Sequence, residues 1–176
     1  MTLDFTFCNF MLGFLLDSKC AAEVTTVFEK LKQDFTDNDL SFKDLFPVIL
    51  TDNGGEFSNV SAIENNSLGE ATTHVFFCHP MKSCEKPHVE KNHTLFRDIC
   101  PKGMSFDELT QENLNLIFSH VNSVTRKSLN GKTPFELFEF TYGKKITSLF
   151  GIEKIPPKEV IQSPLLLKSF KGTKTS

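Results

Sequence analysis

Apolar residues along this chain fall into two patterns. Short continuous runs read as buried strands, and stretches with three- and four-residue spacing read as amphipathic helices. Met1–Leu3 continues a strand and Phe10–Leu16 (FMLGFLL) is a buried one, with Thr6–Asn9 able to link them as a hairpin. Asp17 or Ser18 offers a helix N-cap. Ala21, Val24, Phe28 and Leu31 then form a helical stripe of about three turns. A polar, acidic connection over 34–44 leads to a second buried run, Pro47–Leu50. A short helix over 57–64, a polar loop over 65–73 and a strand over 74–78 (HVFFC) follow. Pro87 sits in the first turn of a helix that runs to about Cys100 and stops at Pro101 and Gly103. Thr110 caps the next helix, whose stripe is Leu114, Ile117, Phe118, Val121 and Val124. Thr133-Pro134-Phe135-Glu136 is a capping box opening another. The expected fold is an α/β mixed sheet flanked by helices.

The stretch Ile49-Leu50-Thr51-Asp52-Asn53-Gly54-Gly55-Glu56-Phe57 organises this pattern. The apolar run ends in Asp-Asn-Gly-Gly, which cannot continue a strand and must turn. Asp52 is thereby placed at the carboxyl end of a buried strand, where open α/β sheets bind ligands. The simpler role for Asp52 is to cap the turn.

A length of 176 residues suggests one domain, and 39% hydrophobic with 23% charged residues suits a globular protein. The net charge of −3 conceals an asymmetry. Residues 1–80 hold four Lys against twelve Asp or Glu; residues 81–176 hold fifteen Lys or Arg against ten Asp or Glu. A basic second half fits a polyanionic partner. Five cysteines, an odd number with no secretory signal, favour reduced thiols and a cytoplasmic location. The apolar segment 5–16 lacks a basic flank and is too short to span a bilayer, so no membrane partner is expected.

Glu90 lies 38 positions after Asp52, on the helix that follows the next strand. Glu90, His93 and Arg97 fall at i, i+3 and i+7, on one helix face. Hard divalent cations take carboxylate oxygens together with water and phosphate, and paired ions serve phosphoryl transfer. A solvated, charge-paired helix face is the plainer account of the same three residues. A different class of reading takes Cys78, Cys84, His88 and His93 as four zinc ligands of a binding module. The Cys–Cys spacing is longer than usual for such a site, and structural thiols with solvent-facing histidines are the simpler account.

Four segments together bear a specific resemblance. They are LTDNGGEF (50–57), EKPHVEKNHTLFRDICPKGMSFDELTQENLN (85–115), HVNSVTRKSLNGKTPFELF (120–138) and GIEKIPPKEVIQSPLLLK (151–168). In this order the chain resembles a DDE transposase of the insertion-sequence-thirty family, with an integrase catalytic core of the ribonuclease-H-like fold. The resemblance implies a partial integrase catalytic core over 1–142 and a C-terminal extension over 143–176. It makes Asp52 the second and Glu90 the third acidic residue of the triad, both ligands of Mg²⁺ or Mn²⁺. It places Arg97 near DNA, with Lys86, Lys91 and His93 as further DNA contacts. The implied activity is cleavage and joining of DNA strands at insertion-element ends and target sites.

The chain also departs from that pattern. The family's first aspartate belongs to a strand upstream of Met1-Thr2-Leu3, and no residue here matches it; Asp4 aligns to the wrong strand. The amino-terminal DNA-binding helices usual in the family have no counterpart. Glu85 stands where relatives often carry glutamine. The expectation is a transposase fragment with the first strand missing and inactive by itself. The alternative is a non-catalytic relic that binds DNA or a full-length transposase.

Overall fold

The computed structural model describes residues 1–78 and 87–171, with the side chains of residues 87–91, 169 and 171 outside the description. The chain is mixed α/β and divides into two compact units. Met1–Leu15 and 86–176 make up one, and 16–85 the other.

The first unit is built on a hairpin. β1 (Thr2–Phe5) pairs antiparallel with β2 (Phe10–Gly13), with Phe5 opposite Phe10 and Thr2 opposite Gly13. The expected turn over residues 6–9 is present, and Asn9 takes a left-handed φ of 57°, which asparagine tolerates. All of β2 is buried because both of its faces are covered. On one face, Phe10 stacks on Phe138 at 4.0 Å and Phe5 meets the same ring edge-on at 4.8 Å. On the other face Met11 and Gly13 meet α5 (Gln111–Asn122), where Phe118 is buried. Phe118 in turn stacks on Phe96 of α4 (Pro87–Ile99) at 5.3 Å. Each such buried ring contributes about 1.5–3 kcal/mol.

Local signals set the helix starts in this unit. Thr110 caps α5, with Asn113 closing the capping box. Thr133 and Glu136 form the expected box at α6 (Pro134–Tyr142), with Pro134 at its start. α5 ends at Asn122, two residues before Val124, because Ser123 takes the C-cap. Two short helices the apolar pattern did not announce follow: α7 (Lys144–Leu149) and α8 (Leu165–Lys171). Between them the chain is strapped to α5 by side-chain acceptors. Ser119 Oγ accepts from the Glu153 N–H at 3.0 Å, Ser123 Oγ from the Ile155 N–H at 2.9 Å, and His120 Nδ1 from the Ile161 N–H at 3.1 Å.

The second unit is organised by α1 (Ala21–Asp37). Its N-cap is Cys20, not Asp17 or Ser18; Lys19 is drawn to Glu56 at 3.1 Å in the stretch just before it. The helix runs six residues past Leu31 because Phe35 continues the stripe and packs against Phe42 and Phe46. Phe42 opens the one-turn helix α2 (Phe42–Leu45), inside what reads as a plain polar connection. Buried Lys32 donates to the carbonyls of Ala62 (2.9 Å) and Asn65 (2.6 Å). It thereby caps α3 (Val60–Glu64), whose last-turn carbonyls need donors.

β3 (Val48–Thr51) and β4 (His74–Phe77) pair in parallel, in the register Ile49 to Val75. The described strands thus form two two-stranded sheets, where one mixed sheet was expected. The hydrogen bonds show the reason at β3. His74 N–H donates to Pro47 O and Cys78 N–H to Thr51 O, so Ile49 and Thr51 direct their polar backbone groups at β4. Val48 and Leu50 direct theirs to the opposite edge, and no described strand pairs with it. The outer edge of β4 is different: Glu64 Oε1 accepts from the Val75 N–H at 2.8 Å.

Among the described residues, no helix is long and apolar enough to cross a membrane.

Candidate functional site

Asp52 and Glu90 lie in different units, so each is described in its own setting. Asp52 leaves β3 exposed, as the strand-end reading requires. Its Oδ1 accepts from the Gly54 N–H at 3.3 Å, the turn-capping bond that an aspartate two residues ahead of a glycine makes. A second carboxylate belongs to the same turn. Glu56 is the middle residue of the 3₁₀ turn Gly55–Phe57 and pairs with Lys19 at 3.1 Å. A hydrogen bond from its own backbone N–H, helped by Lys19, holds the Glu56 carboxyl below its ordinary range. Glycine at 54 is what lets that carboxylate close in, since a Cβ there would stand 2.5 Å from Glu56 Oε2.

Glu90 is carried by α4, with its side chain outside the described residues. At 100° per residue, position 90 falls on the side of α4 away from Asn92, Phe96 and Ile99. Positions 93 and 97 share its side, as the spacing predicted. Arg97 is exposed. His93 is half-buried, and burial, with the neighbouring Arg97, lowers its pKa from the usual 6.5. Lys86 and the side chain of Lys91 lie outside the described residues.

What holds α4 in place was not read from the sequence. Asn92 is 1% exposed, and its Nδ2 donates to Asp4 Oδ2 at 2.7 Å and to Asn9 O at 3.0 Å. Asn122, equally buried, accepts from the Met11 N–H at 2.9 Å and donates to Met11 O at 2.8 Å. Two asparagines thus fasten the β1–β2 hairpin to α4 and α5. The available signal was a polar residue inside an apolar stripe: Asn92 stands at i−4 and i−7 from Phe96 and Ile99. Asp4, which aligns with no catalytic position, has this structural partner.

Arg126 is a further residue missed. It is 4% exposed and donates through Nη2 to Val121 O (3.0 Å) and through Nη1 to Val124 O (3.2 Å). Burial pulls its pKa down to about 10, against the opposing pull of Asp4. It counts in the positive charge of the second half but is not a surface cation.

Among the described residues no three His, Cys, Asp or Glu cluster as a metal site. The zinc set cannot be assembled from them, because Cys84 and the side chain of His88 lie outside the description.

Comparison with known proteins gives one consistent class. The chain is 33% identical over 97 residues to the transposase for insertion sequence element IS4351 of Bacteroides fragilis, covering 55% of this chain and 28% of that protein. It is 34% identical over 99 residues to a probable transposase for the insertion-like sequence element IS1161 of Streptococcus salivarius, covering 55% and 27%. Against transposase InsI of IS30A from Escherichia coli K12 it is 34% identical over 65 residues, 37% of this chain and 17% of that one. The match therefore spans under a third of each relative's length. No family model and no solved structure matches the chain. Over a little more than half of its residues this chain is similar to transposases of bacterial insertion sequences, and over 37% of them to that of IS30.

Proposed function

We propose that these residues are part of a transposase that acts on the DNA ends of an insertion element, and that by themselves they do not cleave or join DNA. The observation that carries the reading is the similarity to insertion-sequence transposases over 97 and 99 residues. The finer fold reading is a ribonuclease-H-like core. It is supported by the parallel pair β3–β4, by Asp52 at the carboxyl end of β3 and by the open edge at Val48 and Leu50. In that reading the edge of β3 that no described strand covers is where a further strand of the core seats.

Asp52 and Glu90 are proposed as two of the metal-binding carboxylates, for Mg²⁺ or Mn²⁺. The donor chemistry of Asp52 fits: it is an exposed carboxylate of which, among the described residues, only Oδ1 is engaged, by the Gly54 N–H. When bound, such ions neutralise phosphate oxygens and lower the pKa of attacking water. The residues of this chain would hold and orient; no third carboxylate of the 176 matches the triad. Two carboxylates around two divalent ions leave excess positive charge and loose geometry, and strand transfer depends on close alignment.

The test assays the purified chain, with Mg²⁺ and with Mn²⁺, on DNA carrying insertion-element ends. Beside it runs a version extended upstream by a strand bearing an aspartate. The short chain should be inactive, and the long one active and silenced by Glu90→Gln or Asp52→Asn. Strand transfer by the short chain would overturn the proposal. Inactivity of both would put the non-catalytic reading, a DNA- or transposase-binding relic, in its place.

A further inference from the structure

A short loop joins α5 to α6. It runs Arg126-Lys127-Ser128-Leu129-Asn130-Gly131-Lys132 and closes on itself. The Arg126 N–H donates to Lys132 O at 2.9 Å, and Arg126 O accepts from the Gly131 (3.0 Å) and Leu129 (3.1 Å) N–H groups. Lys132 N–H donates to Leu129 O at 3.0 Å. Asn130 (φ 52°) and Gly131 (φ 79°) supply the two left-handed positions that let the chain reverse. The buried Arg126 side chain anchors the base of the loop to the end of α5.

That construction presents two exposed lysines, 127 and 132, one on each side of the closed neck. Neither has an ion-pair partner among the described residues. No Asp or Glu occurs between Glu112 and Glu136 in the sequence. Glu136, the nearest acid after the loop, is already matched by Lys154 at 3.0 Å. The positive charge is therefore not neutralised locally, and the loop carrying it is braced by backbone bonds before any partner arrives, which lowers the ordering cost of binding.

We propose that this loop is a docking surface for the sugar–phosphate backbone of DNA, with Lys127 and Lys132 as phosphate contacts. The proposal rests on the DNA reading above and locates a surface that reading lacked. Two exposed lysines on a closed loop do not by themselves enclose a single small anion. They suit a partner with repeated charges, where each neutralised phosphate releases counterions irrespective of base sequence.

The test measures binding of the full chain to double-stranded DNA of random sequence, by fluorescence anisotropy, from about 50 to about 200 mM salt. Lys127→Ala/Lys132→Ala should make the plot of log affinity against log salt shallower by about 1.8, the value for two phosphate contacts. Lys158→Ala/Lys168→Ala removes the same charge from other exposed sites and should leave the slope near that of the unaltered chain. Circular dichroism verifies folding. Independently, DNA should protect Lys127 and Lys132 of the unaltered chain from acetylation, read by mass spectrometry. An unchanged slope in the loop variant, or full acetylation in saturating DNA, overturns this surface while leaving DNA binding standing. Failure of the unaltered chain to bind DNA at low salt removes the DNA reading and this surface together.

Discussion

Asn92 Nδ2 donates to Asp4 Oδ2 at 2.7 Å, joining the helix that carries Glu90 to the first strand across 88 positions of sequence. The same nitrogen also donates to Asn9 O, so one amide satisfies a carboxylate and a backbone carbonyl in an otherwise apolar contact. Asn92→Leu keeps the branched skeleton, with bulkier methyl groups in place of the amide, and removes both bonds, leaving acceptors without that donor. The expected loss is about 2–4 kcal/mol, since a hydrogen bond to a charged group is worth about 1.5–3 kcal/mol and an unsatisfied buried group costs about 1–3 kcal/mol. Asn92→Asp should be worse at neutral pH, because it sets a carboxylate against Asp4, and should recover in acid. Urea unfolding at two pH values checks both. A cost below half a kcal/mol for Asn92→Leu would show that the pair contributes little.

Gly13 ends β2 where that strand crosses Phe118. A Cβ built at this position collides with the edge of the Phe118 ring at Cε2, and that ring is fully buried and stacked on Phe96. No flexible side-chain end is available to yield. Gly13→Ala should therefore destabilise by about 1–3 kcal/mol or more through overpacking. The double substitution Gly13→Ala/Phe118→Leu should recover part of that loss. Thermal unfolding of the two variants decides the matter.

Stability should fall in mild acid. His120 is buried and its Nδ1 accepts from the Ile161 N–H, so this nitrogen must be unprotonated. Burial lowers its pKa from the usual 6.5, and the same holds for His93. A pKa lower in the folded than in the unfolded chain means that the unfolded chain binds more protons between the two values. The contribution is fully present above about pH 6.5 and is lost as pH falls through the folded value. The protection of the Ile161 amide, its exchange rate relative to the intrinsic rate at each pH, should fall over the same range. His120→Gln, neutral at every pH, should reduce the acid sensitivity; an unchanged profile in that variant would dismiss the His120 latch.

The proposed DNA binding should be salt-sensitive and largely indifferent to sequence. Arg97 is exposed on the side of α4 shared by position 90. Arg97→Ala should weaken binding and reduce the salt slope by about one unit, as loss of one phosphate contact does. Lys174→Ala, in the terminal residues, should have little effect. Equal effects of the two would indicate that only net charge matters.

Much of the local structure was legible in the order of residues. The runs at 10–16, 47–50 and 74–78, which fold as strands over 10–13, 48–51 and 74–77, the helical stripes of α1 and α5, and the Thr133–Glu136 box all act over a few residues, where periodicity and capping chemistry operate. The same is true of the exposed Asp52 turn, because Asp-Asn-Gly-Gly must leave the strand. Tertiary structure decided what depends on distant partners. It extended α1 to Asp37 by packing Phe35 on Phe42 and Phe46, and it moved the N-cap to Cys20. It put Asn92 and Asn122 inside, where each meets backbone or carboxylate groups some 80 to 111 positions away. It also withdrew Arg126 from the surface charge and left Lys127 and Lys132 outside. Spacing reveals which residues share a face, but the burial of a polar side chain is settled only by whether the folded chain brings it a partner.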